Sequence, residues 1–191
     1  MNEWDIKSFE WILGENSVVV ELGGYEGRWA LEIATRYNPN LFVFEPQRWA
    51  FEKCRDVLSP WPHAHVYNCG LGLSKGTFPM GKFETDGCSF IEKDFTQSGT
   101  GKMREIAHTF DLLRIKSIDL LMMNIEGYEY KLIPHMLQNG VLEMIDNFCV
   151  QFHTKFDANI QMEFCLSILR SKFDLAWDYG TVLSAWKRKT K

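Results

Sequence analysis

From Ser17 to Gly27 the chain reads Ser-Val-Val-Val-Glu-Leu-Gly-Gly-Tyr-Glu-Gly. Three β-branched apolar residues in a row, Val18 to Val20, predict a strand buried on both faces. The strand runs into a turn that carries Gly23, Gly24 and Gly27. Beyond Gly27, Trp29, Ala30, Ile33, Ala34 and Tyr37 recur at three- and four-residue spacing, which predicts a helix. A strand, a glycine turn and a helix start bring backbone N–H groups and a helix N-terminus close to a ligand.

The spacing of the turn selects the ligand. A dinucleotide fingerprint needs Gly-x-Gly-x-x-Gly, and Leu22 occupies the first of those positions. What fits is acid-x-Gly-x-x-x-Gly, through Glu21, Gly23 and Gly27, with Gly24 and Tyr25 inside the turn. A carboxylate before the turn repels a pyrophosphate and suits an ammonium, such as the amino-acid end of S-adenosylmethionine (SAM). Glu45 ends a second apolar strand, Leu41 to Phe44, and Pro46 stops it. An acid about 20 residues past such a turn holds a ribose diol. The plain alternative is a βα turn with two solvated acids.

The rest of the chain continues the pattern. Trp49 to Leu58 reads as a helix and His65 to Asn68 as a third strand. The βαβαβ order predicts an α/β fold, Rossmann-like and doubly wound on a mostly parallel sheet. Ile118 to Met123 is an apolar run for a central strand, followed by Asn124-Ile-Glu-Gly127 and a helix from Tyr128 to Gln138, with Pro134 predicted to kink it. Asn147 to Phe152 predicts a strand ending at His153, and Ala158 to Lys172 an amphipathic helix. Phe173 to Trp177 and Thr181 to Trp186 read as a hairpin that adds a C-terminal antiparallel strand. Residues 1–14 read as a capping helix. Residues 81–102 are polar and glycine-rich and read as loops or short strands, a cover on the substrate side or a surface excursion. Met103, Ile106, Phe110 and Leu113 suggest a short helix after them.

At 191 residues the chain suits one α/β domain, taken here as residues 1–191. A net charge of −4 offers no bulk attraction to nucleic acid, and the basic tail Lys187 to Lys191 reads as solvated. Glu3, Asp5 and Glu10 break any signal-peptide pattern, and no run reaches the roughly 18 apolar residues of a membrane span. Five cysteines without a Cys-x-x-Cys pair argue against a disulfide framework or structural zinc. A reducing, cytoplasmic setting follows as the expectation.

In open α/β sheets ligands bind beyond the carboxyl ends of the strands. This sequence places there Glu21 and Gly23, Glu45, Asn68 and Gly70, Asn124 and Glu126, and His153. His153 and Glu126 are the candidates for acid–base work, because imidazole titrates near neutral pH. A lone histidine at a strand end is as readily a hydrogen-bonded structural residue, and two metal-type ligands without a third make no metal site.

Four stretches together resemble the FkbM-type family of SAM-dependent methyltransferases. They are Glu21-Leu-Gly-Gly-Tyr-Glu-Gly27, Val43-Phe-Glu-Pro46, Ile118-Asp-Leu-Leu-Met-Met-Asn-Ile-Glu-Gly-Tyr-Glu129 and Gln151-Phe-His153. The resemblance implies a class I methyltransferase fold, with seven strands and the last antiparallel, and O-methylation of hydroxyls on sugars or natural products. The family commonly has Lys, Asp and Glu where this chain has Met122, Asn124 and Gln151, and usually Asp in place of Glu21. Two carboxylates have become amides, which puts any mechanism that relies on them in question.

The expected function is SAM-dependent methylation of a small hydroxylated acceptor, with no nucleic acid and no membrane as partner. His153 is the first choice for base and Glu126 the second. Glu21 and the turn would hold the methionine part, Glu45 the ribose, Asn68 and Gly70 the adenine, and Asn124 the methionine amino group. The alternatives are a SAM-binding protein without transfer activity and, weakened by Leu22 and Glu21, an NAD-dependent oxidoreductase.

Overall fold

Two classes of apolar residue alternate along the central strands, and this alternation sets the layers. The computed structural model describes residues 13–82, 88–89, 96–153, 159–179 and 183–190. In β1 (Val18–Leu22) and β8 (Ile118–Met123), Val19, Leu120 and Met122 face one side, while Val20, Leu22, Leu121 and Met123 face the other. Successive strand side chains point to opposite faces, so a strand apolar at every position must be covered twice. The first side is covered by α1 (Arg28–Tyr37) and α2 (Arg48–Leu58), through Ala30, Ile33, Ala34, Cys54 and Leu58. The second is covered by α3 (Ile106–Leu112), α4 (Glu129–Gln138) and α5 (Asn159–Lys172), through Phe110, Leu132, Ile133, Met136, Ile168 and Leu169. Each large side chain so buried contributes about 1.5–3 kcal/mol relative to exposure.

The other strands of this sheet are β2 (Asn40–Phe44), β3 (Ala64–Tyr67), β9 (Ile145–Gln151), β10 (Phe173–Tyr179) and β11 (Leu183–Arg188). The order is β10-β11-β9-β8-β1-β2-β3. The pairs β3–β2, β2–β1, β1–β8 and β8–β9 are parallel, and β11 runs antiparallel to both β9 and β10. The expected seven-stranded, mostly parallel sheet with one C-terminal antiparallel strand is the observed one. Chain order reverses between β1 and β8, the switch point at which such sheets bind ligands.

A second sheet takes up the middle of the chain. It comprises β4 (Gly70–Gly72), β5 (Gly76–Lys82), β6 (Cys88–Ser89) and β7 (Thr96–Glu105), in the order β4-β7-β5-β6. Of the loops or short strands expected over 81–102, the described residues are strand, while residues 83–87 and 90–95 lie outside the described residues. Polar, glycine-containing sequence left the two readings open, because the stability of the strands lies in cross-strand pairing of β5 with β7, which no local window reveals. Met103, expected to start a helix, is buried near the end of β7 instead. The helix begins at Ile106, because the Glu105 carboxylate accepts from the N–H groups of Ala107 and His108. The expected N-terminal helix falls almost wholly on residues 1–12, outside the described residues. Among the described residues no helix is long and apolar enough to cross a membrane.

Candidate functional site

The carboxyl ends of β1, β2 and β8 open into a cavity of about 440 Å³. Its floor is the glycine turn. Gly23 has φ +87°, and a Cβ there would lie 1.9 Å from the Asn124 carbonyl oxygen. Gly24 is closed in from the other side, its Cβ falling 2.2 Å from Val43 Cγ1. The turn is pinned to β2, since Gly23 N–H donates to the Phe44 carbonyl at 2.9 Å. Tyr25 takes a left-handed φ of 46°, which a non-glycine residue adopts only under constraint. Gly27 does not line the cavity; it lets α1 pack against Cys54, 3.0 Å from where its Cβ would be.

Two buried carboxylates stand at this floor. Glu21 is 4% exposed and Glu45 3%. Burial pushes Glu21 well above the ordinary carboxylate value, and the neighbouring Glu45 pushes it the same way. Burial raises Glu45 to about 7, against the opposing pull of two backbone N–H donors. Those donors are Tyr25 N to Oε2 at 2.8 Å and Gln47 N to Oε1 at 2.7 Å. Glu45 therefore ties the glycine turn to the start of α2, with the second lone pair of each oxygen left for a ligand.

Glu21 Oε2 and Asn124 Oδ1 are buried and have no hydrogen-bond partner among the described residues. Both residues line the cavity. Two orphaned acceptors, one on a carboxylate, suit a ligand that brings several N–H donors and a positive charge, as an ammonium does. The apolar walls, Phe44, Leu71, Met122 and Ile125, suit the uncharged body of such a ligand. The residues present fit SAM.

The other expected residues divide. Pro46, Gly70 and Glu126 line the cavity. Asn68 does not; its side chain donates to the carbonyls of Glu45 at 3.1 Å and Pro46 at 3.2 Å. It shapes the end of β2, and Gly70 with Leu71 provides the adjoining wall. Tyr128, Arg28, Trp29 and Gln47 also line the cavity; Tyr128 and Trp29 stood in the sequence only as motif and helix positions, and Arg28 and Gln47 carried no signal.

His153 also lies outside the cavity lining, behind Glu126. Its Nε2 faces Glu126 Oε1 at 3.4 Å and its Nδ1 faces Glu129 Oε1 at 3.1 Å. Burial alone would lower its pKa, but the two carboxylates outweigh that and raise it to about 9. That shift favours the imidazolium, and both ring nitrogens face carboxylates and not the cavity, which differs from the base at the site that the sequence suggested. Glu129, quoted in the sequence motif but given no role, is completely buried at this junction. Among the described residues no group of three or more His, Cys, Asp or Glu side chains is arranged to hold a metal ion.

The sheet order, the turn and the cavity at the switch point define a class I methyltransferase fold. Known structures share it at low identity. An rRNA methylase of Streptococcus thermophilus is 11% identical, with TM-score 0.56 over 94% of this chain and 90% of that one. A proposed rRNA methylase of Clostridium thermocellum is 14% identical, with TM-score 0.61 over 97% and 92%. A proposed methyltransferase of Streptococcus mutans, in complex with SAH, is 12% identical, with TM-score 0.56 over 93% and 91%. The expected cofactor, SAM, agrees with the SAH bound in the Streptococcus mutans protein. No family model matches the chain, and no curated protein matches it. The expectation of a small-molecule acceptor with nucleic acid excluded is corrected by the rRNA methylases: this fold is used on RNA. Net charge does not exclude RNA, because an acceptor meets only the local surface around the cavity mouth.

Proposed function

We infer that this chain is a SAM-dependent methyltransferase, a reading carried by the orphaned acceptors Glu21 Oε2 and Asn124 Oδ1 in the cavity wall. The names of the rRNA methylases above favour RNA as the acceptor. The resemblance to FkbM-type enzymes favours methyl transfer to oxygen, and its most specific block, Asn124-Ile-Glu-Gly-Tyr-Glu129, supplies cavity-lining residues.

When bound, SAM would supply a methyl carbon made electrophilic by its sulfonium. Glu21 and Asn124 would accept hydrogen bonds from the methionine ammonium. Glu45 would take the ribose hydroxyls on its remaining lone pairs. The apolar walls would exclude water and the rigid turn would hold the cofactor in place, where positioning does most of the work. Glu126 is the group that accepts the acceptor hydroxyl's proton as the new O–C bond forms. Its side chain is 30% exposed, so the proton can pass on to solvent.

Calorimetric titration with SAM, SAH and NAD tests the cofactor, and transfer of tritiated methyl from SAM into bulk RNA tests the acceptor. Binding of SAM and SAH with NAD silent is the expected result. NAD binding with SAM silent would return the turn to a dinucleotide role, and SAM binding without transfer would favour a cofactor-binding protein.

A further inference from the structure

The loop after β8 and the end of β9 are joined by one buried side chain. Glu129 is the first residue of α4, yet its carboxylate turns back out of the helix. Oε2 accepts from Gly127 N–H at 2.8 Å, and Oε1 accepts from His153 N–H at 2.8 Å. The same Oε1 meets His153 Nδ1 at 3.1 Å. The next residue of the helix, Tyr130, donates its hydroxyl to the His153 carbonyl at 3.0 Å. His153 is therefore held by its backbone N–H, its carbonyl and one ring nitrogen, all from α4. Only Nε2 is left, and it points at Glu126.

Glu126 needs such a hold. It has φ 54° and is followed by Gly127 at φ 95°, two consecutive left-handed residues. For a glutamate this conformation is strained and persists only when the surroundings over-determine it. Its carboxylate borders the cavity, whereas Glu129 is out of reach of any ligand. A buried carboxylate that accepts from a loop N–H and from a histidine's backbone and ring is costly unless it is paired. The arrangement follows the logic of a carboxylate that orients a histidine, which in turn acts on a third group.

We propose that Glu129 is a positioning residue that acts through His153 to hold the Glu126 carboxylate at the cavity wall, on the acceptor side of the site. This rests on the methyltransferase reading for its purpose, but the linkage itself stands in the free protein. Among the described residues the titratable groups facing His153 and Glu129 are Glu126, Tyr130, whose hydroxyl is committed to the His153 carbonyl, and the Cys165 thiol of α5. Burial and then Glu129 raise that thiol to about 12, so it stays neutral and leaves the carboxylates as the partners of the ring.

The test is the imidazole nitrogen spectrum of 15N-histidine-labelled protein without ligand, for wild type, Glu126→Gln, Glu129→Gln and Glu129→Asp. SAM calorimetry runs on the same samples. Wild-type His153 is expected to carry both protons at pH 7.5. Glu126→Gln, at the cavity edge, should lower its titration midpoint by about half a pH unit or more. Glu129→Gln should lower it further, and Glu129→Asp should restore part of the shift because the charge is kept. In transfer to RNA, Glu129→Gln should lose about tenfold in kcat while SAM affinity stays within about twofold, a split that simple unfolding cannot produce. A neutral His153 in wild type, or a midpoint unmoved by Glu126→Gln, overturns the proposal even if Glu129→Gln fails to fold. So does a Glu129→Gln protein that transfers at the wild-type rate. Failure of wild type to bind SAM would sink the methyltransferase reading alone, since the nitrogen spectrum decides the linkage without cofactor.

Discussion

Glu45→Gln should flatten the pH dependence of stability in the free protein. Glu45 is 3% exposed, and burial raises its pKa from an ordinary 4.5 to about 7. Between those values the folded chain holds a proton that the unfolded chain has released, so stability falls as pH rises. The sign is opposite to that of a salt-bridged carboxylate. At 1.36 kcal/mol per pH unit, the loss between pH 4.5 and pH 7 is about 3 kcal/mol, and it changes little above. Glutamine keeps one acceptor for the N–H groups of Tyr25 and Gln47 and loses the other, a constant cost of about 1–2 kcal/mol that does not vary with pH. The assay is thermal unfolding at pH 5 and pH 8 for both proteins. Between pH 5 and pH 8 the difference is about 2.5 kcal/mol, so at about 2–4 °C per kcal/mol for a chain of this size wild type should lose roughly 5–10 °C more than the variant. Glu21, also raised, contributes to both proteins and largely cancels in the difference. Parallel curves, or a wild type that gains on the variant as pH rises, would refute the reasoning.

Three further outcomes are expected. Gly23→Ala must place a Cβ 1.9 Å from a backbone oxygen at φ +87°, so strain and overlap together should cost about 2–5 kcal/mol in urea denaturation and abolish SAM binding; a stable, SAM-competent variant would show that the turn is not rigid. Glu21→Gln should weaken SAM by about tenfold or more, because the amide removes the carboxylate that the ammonium would meet; unchanged affinity would remove Glu21 from the ammonium site. SAM binding measured in buffers of different ionisation enthalpy at pH 7 should release protons, since a cation at Glu21 favours its charged form; a buffer-independent heat would mean that Glu21 does not meet the cation.

The strand ends were legible in the sequence because each follows an apolar run and carries a polar residue. Glu21, Glu45, Asn124 and Glu126 accordingly line the cavity. Asn68 and His153 passed the same criterion and lie outside the lining. One is consumed by the carbonyls of Glu45 and Pro46, the other by two carboxylates. Position at a strand end says that a side chain is near the site, and only its partners say whether it is free to act there. Glu129 escaped notice for the converse reason: as the first residue of a helix it looks like an ordinary favourable charge at a helix start. Its turn back to Gly127 and His153 depends on β9 lying beside β8.

By itself the sequence determined the sheet and its two covered faces, because a strand apolar at every position has no other stable setting, and helical periodicity on either side supplies the cover. It also determined the glycine turn, where Gly23 meets a backbone oxygen that no side chain could avoid. The tertiary structure alone decided the protonation and the pairing. Burial raises the pKa values of Glu21 and Glu45, and the convergence of β8, β9 and α4 sets His153 between two carboxylates that raise its pKa, behind Glu126. Those quantities depend on which charges stand within a few ångströms of each other, and that distance is set by packing between segments far apart in the chain.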